Sequence, residues 1–329
     1  MLPPAQPSGV PASDTATVAP TPSAAALAPA APLPAAPSRR ERLRRDAELF
    51  GSLLEDESAV VQREVRREFE RRGREGLPVL QRIARHGGPR ARAAARSALV
   101  HAGREKVARR MVKLACSPYA DLERGLLLLS RFEEPGLDLR PYVLAIDAMA
   151  AEVLKRLDAR TGLASRSKLL SDYLGRELGY RGDADDYHHP DNVYLHRAIV
   201  RKRGLPLTLC ALYLFVARRA SIRAAPVALP GHVVLRVYES DGKSTLLDPF
   251  HGGTPLTDRD CLGYLAEHGL PFEPRWFDDA SDLAIWARHV HNLRNSYRQR
   301  GLEREVRLLG LVSRALALRL ADGGAGAGS

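Results

Sequence analysis

One apolar stretch decides the fold: Gly204-Leu-Pro-Leu-Thr-Leu-Cys-Ala-Leu-Tyr-Leu-Phe-Val-Ala217. Pro206 stands where a helix can begin, because at the first helical position its missing N–H is harmless. Between residues 207 and 217 only Thr208 and the phenol of Tyr213 are polar. A helix that is apolar on all sides lies at the centre of a core. The sequence therefore predicts a buried central helix.

A small antiparallel sheet is expected directly after this helix. Residues 233–238 alternate in the period of two that is typical of a strand. Ser240-Asp-Gly-Lys243 is typical of a turn, and Ser244–Leu247 can return as a second strand. Because helical periodicity dominates elsewhere, the predicted fold class is α+β, mainly helical, with a small antiparallel sheet packed on one buried helix.

Composition divides the chain into five segments, working outward from the central helix. They are a disordered Pro/Ala-rich tail (1–38), a helical region (39–135), the core (136–280), a closing helical hairpin (281–320) and a Gly/Ala tail (321–329). Within the helical region, Gly73 and Gly87-Gly88 separate short helices. Residues 56–102 are similar to a HEAT-type pair, although such solenoids need at least about three units. In the core, two longer helices over 137–180 should break near Gly162.

Length, charge and cysteine content exclude several classes of protein. No window of the 329 residues approaches the ~18–20 consecutive apolar residues of a membrane-spanning helix. The amino terminus lacks the basic and apolar regions of a secretion signal. Three widely spaced cysteines form neither a disulfide framework nor a CxxC site. We therefore expect a cytoplasmic protein with no membrane partner.

The net charge of +11 raises the question of nucleic acid. Much of the arginine, however, lies among acidic residues at helical spacing, as in Arg66-Arg67-Glu68, which is typical of a solvated helix face. No aromatic residues interleave the basic runs to stack bases. A protein or peptide is the expected partner, and nucleic acid is disfavoured.

Two residues on neighbouring strands are candidates for chemistry. His232 stands at the mouth of the first strand, and Asp248 ends the second. A carboxylate beside an imidazole orients it as a base, and a cysteine at the amino end of the helix would complete a thiol hydrolase. Alternatively, His232 merely caps a strand and Asp248 begins a turn before proline.

The register of the hairpin decides whether the two side chains meet, and two registers are open. A turn centred on Ser240 places His232 directly opposite Asp248. A two-residue turn at Asp241-Gly242 instead places Asp248 opposite Leu235, roughly 10 Å from His232 and out of reach without a bulge.

Several ordered motifs show a resemblance to a known family. They are Asp121-Leu-Glu-Arg-Gly-Leu-Leu-Leu-Leu-Ser-Arg131, Tyr187-His-His-Pro-Asp-Asn-Val-Tyr-Leu195, Arg203-Gly-Leu-Pro-Leu-Thr-Leu209, Leu229-Pro-Gly-His232, Leu247-Asp-Pro-Phe-His-Gly-Gly253 and Asn292-Leu-Arg-Asn-Ser-Tyr297. Over roughly 115–300 the chain resembles bacterial SirB-type proteins of the transglutaminase-like superfamily. The resemblance implies a papain-related core over 136–280 and, in active relatives, a Cys-His-Asp triad in which His232 and Asp248 supply the last two members.

The chain departs from this family at the nucleophile. Active relatives carry Gly-x-Cys at the start of the central helix, whereas the matching residues here are Gly204-Leu205-Pro206. Proline cannot attack a substrate. Cys210 lies one turn further on, about 5–6 Å deeper on the same face, where a small buried core residue is its simpler interpretation.

Other polar and aromatic residues allow two interpretations each. Tyr187 and Asn192 are candidates to line the cleft beside Pro206, although Asn192 also suits a helix cap. Trp276 and Trp286 are expected to be packing residues. A group of potential metal ligands lies between residues 185 and 196: Asp185, Asp186, His188, His189, Asp191 and His196. Their spacing matches no known metal site, so we predict a solvated loop and no metal or other cofactor.

Two hypotheses for function follow. The favoured one is a catalytically degenerate transglutaminase-like protein that acts in binding or regulation, with His232 and Asp248 left in a cleft without its thiol. The alternative is a cysteine-type hydrolase or acyl transferase that uses Cys210, or a water activated by His232. A scaffold role of the helical amino-terminal region is compatible with both.

Overall fold

The computed structural model describes residues 37–159, 165–187 and 189–325. Its helices are α1 (Arg39–Glu55), α2 (Ala59–Arg72), α3 (Leu77–His86), α4 (Pro89–Ala115), α5 (Leu122–Glu133), α6 (Arg140–Ala159), α7 (Arg166–Leu170), α8 (Leu195–Arg201), α9 (Pro206–Arg219), α10 (Asp258–Glu267), α11 (Asp282–Gln299) and α12 (Glu303–Ala325). A π-helical segment, Ser171–Glu177, continues α7. Nearly all of the predicted Pro/Ala tail, the expected break near Gly162 and residues 326–329 lie outside the described residues.

Within the described part of the chain, the strands form two sheets. A short parallel pair joins β1 (Arg181–Gly182) to β2 (Arg203–Gly204). The main sheet is antiparallel, in the order β3 (Ala224–Val227), β4 (Val234–Tyr238), β5 (Ser244–Asp248) and β6 (Thr254–Leu256). The mainly helical α+β class with a small antiparallel sheet is therefore confirmed, and the sheet has two strands more than the sequence predicts. Both extra strands are short, and each contains a proline, which weakens the strand signal.

Helix α9 occupies the centre of the main core, as the sequence predicts. Every residue from Pro206 to Ala217 is buried. Val233, Leu235 and Val237 of the sheet lie in the same cluster of buried residues as α9. Because apolar side chains surround the helix on all sides, its amino end is held rigidly against the sheet.

The hairpin between β4 and β5 adopts neither of the two expected registers. Leu235 pairs with Leu247, and the Glu239 N–H donates to the Lys243 carbonyl at 2.8 Å. The loop therefore has three residues, 240–242, and Gly242 at its end has a φ of +85°, as is usual for loops of this length. Continuing the ladder by one pair sets Asp248 opposite Val234.

The helices before the central core build a smaller core of their own. Phe50, Phe69 and Ile83 are buried there among α1–α4. Helix α4 is 27 residues long; Ala95 near its start lies in this core, and Met111 near its end lies in the main one. The boundary expected at residue 135 therefore does not separate two hydrophobic cores, because α4 and α5 extend the main core toward the amino terminus.

The carboxy-terminal hairpin is formed by α11 and α12, which pack against each other. Helix α12 runs to Ala325, past the boundary expected at 320. Within the described residues, no helix combines the length and the hydropathy that crossing a membrane requires.

Candidate functional site

Asp248 ends strand β5 and begins a short 3-10 turn, Pro249–His251. Its Oδ1 accepts the backbone N–H groups of Phe250 at 2.9 Å and His251 at 3.4 Å. The carboxylate therefore performs the turn-starting role that its position before proline predicts, and it still leaves Oδ2 for other partners. With only 5% of its side chain exposed, the group is nearly enclosed.

His232 reaches this free oxygen from the loop before β4. Its Nε2 lies 2.9 Å from Asp248 Oδ2. The two residues are diagonal neighbours across the hairpin, because Asp248 lies opposite Val234, and diagonal side chains of this length can meet. Gly231 permits the approach: its φ is +79°, and a Cβ there would come within 2.7 Å of the Tyr264 hydroxyl.

His251 is a third member of the cluster and was not identified from the sequence. Its Nδ1 lies 2.8 Å from the same Asp248 Oδ2, and 67% of its side chain is exposed. Burial opposes ionisation of Asp248, but the hydrogen bonds from His232 and His251 outweigh it, so the pKa of the carboxyl lies below its usual value. The motif Asp-Pro-Phe-His contained a signal, because a 3-10 turn returns the third residue after the aspartate to the carboxylate.

A cavity of about 490 Å³ opens beside the cluster. Its lining includes the side chains of Tyr187, Pro206, His232, Phe250 and Tyr264. The structure thus brings together four of the predicted site residues, Tyr187, Pro206, His232 and Asp248. Aromatic rings form much of the wall, and the rings of Tyr187 and Phe250 meet edge to face at 5.9 Å.

Pro206 begins α9 at the edge of this cavity, whereas Cys210 does not reach it. The Cys210 side chain is 1% exposed, and its Sγ lies 3.5 Å from the Val234 carbonyl, to which it donates. Burial raises the pKa of the Cys210 thiol far above its ordinary value, and the charge of Asp248 adds to the effect. A thiolate at this position is therefore strongly disfavoured.

Cys261, on α10, is the cysteine that borders the cavity. Burial and, next, the charges of nearby aspartates raise its thiol pKa to about 11, so this thiol is also protonated at neutral pH. Cys116 is exposed, and all three cysteines are free thiols.

Arg288 of α11 supplies positive charge near the same cavity. Burial raises the pKa of both Tyr187 and Tyr264, and the charge of Arg288 opposes these shifts. Burial in turn lowers the pKa of Arg288 itself. Among the described residues, no carboxylate forms an ion pair with this guanidinium. The sequence offered no signal for its role, because only the tertiary fold brings the charge of Arg288 near Tyr187 and Tyr264.

Asn192 does not line the cleft, contrary to expectation, and it does not cap α8. It is fully buried; its Nδ2 donates to the Asp186 and Tyr187 carbonyls, and its Oδ1 accepts from Arg201. The amide thus holds in place the loop that presents Tyr187. A polar side chain beside a loop can satisfy the buried backbone groups of that loop, and sequence spacing does not distinguish this role from a place in the cleft.

The polar loop before α8 contributes no clustered ligands among its described residues. His188 lies outside the described part of the chain. The His189 Nδ1 accepts the Asp191 N–H, and His196 is buried against Glu133 at 3.1 Å. Trp286 is fully buried and Trp276 packs beside the outer face of the sheet, in line with the predicted packing roles.

Comparison with known proteins locates the family resemblance on this part of the fold. A family model described as the transglutaminase-like superfamily matches residues 140–291. This range includes α9, the sheet and every residue of the His232–Asp248–His251 cluster. No solved structure matches the chain.

Three curated proteins illustrate the similarity. The chain is 33% identical over 142 residues to a UPF0162 protein of Xylella fastidiosa, covering 43% of this chain and 50% of that protein. It is 27% identical over 152 residues to the protein SirB1 of Salmonella typhimurium, covering 45% and 55% respectively. It is also 25% identical over 181 residues to F-box only protein 21 of Homo sapiens, covering 53% and 28%.

The matched region thus spans about half the length of the bacterial relatives and less of the human one. It coincides with the central helix, the sheet and the cavity described above. Residues 140–291 therefore match the transglutaminase-like superfamily, and over this region the chain is similar to the bacterial SirB1 and UPF0162 proteins.

Proposed function

We propose that this protein is a catalytically degenerate member of its superfamily that binds a protein or peptide segment in the cavity beside His232 and Asp248, in a regulatory role. Its compartment is the cytoplasm, because three free cysteines suit a reducing environment. The single observation that carries the proposal is Pro206, which has no group able to attack a substrate and borders the cavity where a nucleophile is expected.

The state of the two nearest thiols supports the same conclusion. Cys210 is enclosed in the core and donates a hydrogen bond to the Val234 carbonyl, and burial raises the pKa of its thiol. Cys261 borders the cavity, but its pKa of about 11 leaves it protonated as well. A thiol enzyme needs a thiolate beside its base, and neither residue supplies one.

The walls of the cavity suit a peptide ligand. Tyr187, Phe250 and Tyr264 offer aromatic surfaces for apolar side chains, and His232 with Asp248 offers polar groups at the base. A mostly apolar cleft with a few convergent polar groups is the usual form of a binding site. The charge of Arg288 nearby favours a segment that carries a carboxylate.

Binding to an immobilised peptide library tests the proposal. We expect Tyr187→Ala to weaken the peptides selected by the wild-type chain by at least about tenfold, since an aromatic anchor is worth more than about 1 kcal/mol. Tyr119→Ala is the matched control, because this tyrosine is 78% exposed and is not among the residues that line the cavity. Equal losses in both variants, or no selected peptides, would contradict the proposal.

A second candidate function rests on the free side of His232. Its Nε2 is committed to Asp248, and within the described residues no hydrogen bond is formed by its Nδ1. An imidazole oriented by a carboxylate can take a proton from water, which makes hydrolysis of an acyl group the alternative. This alternative predicts that the protein hydrolyses a small amide or ester. The activity should persist after alkylation of all thiols and should disappear in His232→Ala.

A further inference from the structure

We propose that His232, Asp248 and His251 bind a divalent transition-metal ion, zinc in the first place. The sequence predicts no metal, because the polar residues of 185–196 have no spacing of a known metal site, and it assigns no role to His251. Among the described residues, these three form a group of potential ligands whose nitrogen and oxygen atoms all lie within 4.8 Å of one another. The inference goes beyond the proposed function and does not require a peptide partner.

The distances suit the coordination of zinc. His232 Nε2 and His251 Nδ1 lie 2.9 and 2.8 Å from the same oxygen, Asp248 Oδ2. Zinc at about 2.0–2.2 Å from each of its tetrahedral ligands separates them by about 3.3 Å. The ion therefore enters if the two imidazoles retreat from the carboxylate by roughly half an ångström and each moves its proton to the other ring nitrogen. The two coordinating nitrogens, which lie within 4.8 Å of each other, must also settle at the same spacing of about 3.3 Å.

The fold fixes the carboxylate so that one oxygen remains for the metal. Oδ1 of Asp248 accepts backbone N–H groups from Phe250 and His251, an interaction that does not depend on any ion. Outer hydrogen bonds of this kind orient the ligands of metal sites. His251 belongs to the same short turn, so its imidazole and the carboxylate are held by four consecutive residues.

Access and composition also fit a metal with an open position. His251 is 67% exposed and lines a second cavity of about 610 Å³ as well as the first, so an ion can enter from solvent. Two imidazoles and a carboxylate form the ligand set of zinc sites that keep a fourth position for water or a ligand.

Titration calorimetry of the full chain, prepared without a polyhistidine tag, tests the site with zinc chloride alone. We expect one zinc ion per chain for the wild type and an affinity at least about tenfold lower for His251→Ala. His268→Ala is the matched control, because His268 is an exposed histidine at the same cavity outside the cluster. It should retain wild-type affinity.

Cobalt(II) supplies a second measurement that does not depend on calorimetry. Its visible absorption should show tetrahedral coordination in the wild type and in His268→Ala, and should be lost in His251→Ala and in Asp248→Ala. Circular dichroism establishes that each variant is folded. Absence of stoichiometric binding, or equal binding by His251→Ala and the wild type, would overturn the assignment. If the protein binds no zinc but still binds peptides in the absence of metal, the metal-site inference fails and the proposed function is unaffected.

Discussion

Alkylation of Cys210 by iodoacetamide tests whether this cysteine can act as the nucleophile of a thiol hydrolase. The perturbation is the reagent itself, applied at pH 8 to the native chain and to the chain in urea. In the unfolded chain a thiol with an ordinary pKa of about 8.5 is roughly one-quarter thiolate. In the folded chain Cys210 is 1% exposed, its thiol donates a hydrogen bond to the Val234 carbonyl, and burial raises its pKa strongly.

The structure sets the size of the expected effect. Because the folded thiol is both covered and protonated, Cys210 should react mainly through unfolding. With an unfolding free energy of at least about 5 kcal/mol, the unfolded fraction is below roughly one in a thousand. We therefore expect labelling of Cys210 to be more than about a thousandfold slower in the native chain than in urea. For Cys261, with a pKa of about 11, the protonated state alone slows labelling by a few hundredfold.

Site-by-site mass spectrometry measures all three cysteines in one sample. Cys116 is exposed and serves as the internal control, with little protection expected. The reasoning is refuted if Cys210 labels in the native chain within about tenfold of its rate in urea and if His232→Ala slows that labelling. A reactive thiol beside a base would then favour the hydrolase hypothesis.

Three further predictions concern stability, each measured by urea unfolding. Gly231→Ala should lower the unfolding free energy by more than the roughly 1–2 kcal/mol of a strained φ, because the added Cβ also meets Tyr264. Gly242→Ala is the control, because Gly242 has a similar φ but open space around it, so this variant measures the cost of the backbone strain alone. Equal losses of unfolding free energy in the two variants would contradict a contribution from the Tyr264 contact. Asp248→Asn should lower the unfolding free energy by about 1–3 kcal/mol at pH 7. This loss should shrink below about pH 4, because ionised Asp248 stabilises the fold above its unfolded pKa and the stabilisation disappears as the pH falls through the lower pKa of the folded state. A loss that stays constant down to pH 3 would contradict this reasoning. Trp286→Ala should cost about 3–5 kcal/mol, since this ring is fully buried, and a loss under 1 kcal/mol would contradict its packing role.

The candidate site was predictable where a residue's local pattern restricts its place. His232 follows Pro-Gly at the start of a strand, and Asp248 precedes proline at the end of another, so both were expected at one end of a hairpin. Their contact was not predictable, because it depends on a three-residue loop that shifts the register by one or two positions from either expectation. The place of Asn192 outside the cavity lining was not predictable either, because its hydrogen-bond partners lie in the loop at Asp186-Tyr187 and, through Arg201, in helix α8.

The amino-acid sequence by itself determined the buried helix from Pro206 to Ala217, the helical character of the chain and the absence of a thiol at position 206. These features depend on local periodicity and on residue identity, which need no knowledge of long-range contacts. Only the tertiary structure decided that Cys210 is sealed in the core and that His251 joins His232 on one oxygen of Asp248. Burial and side-chain convergence are set by how distant segments pack, and a linear pattern does not contain that information.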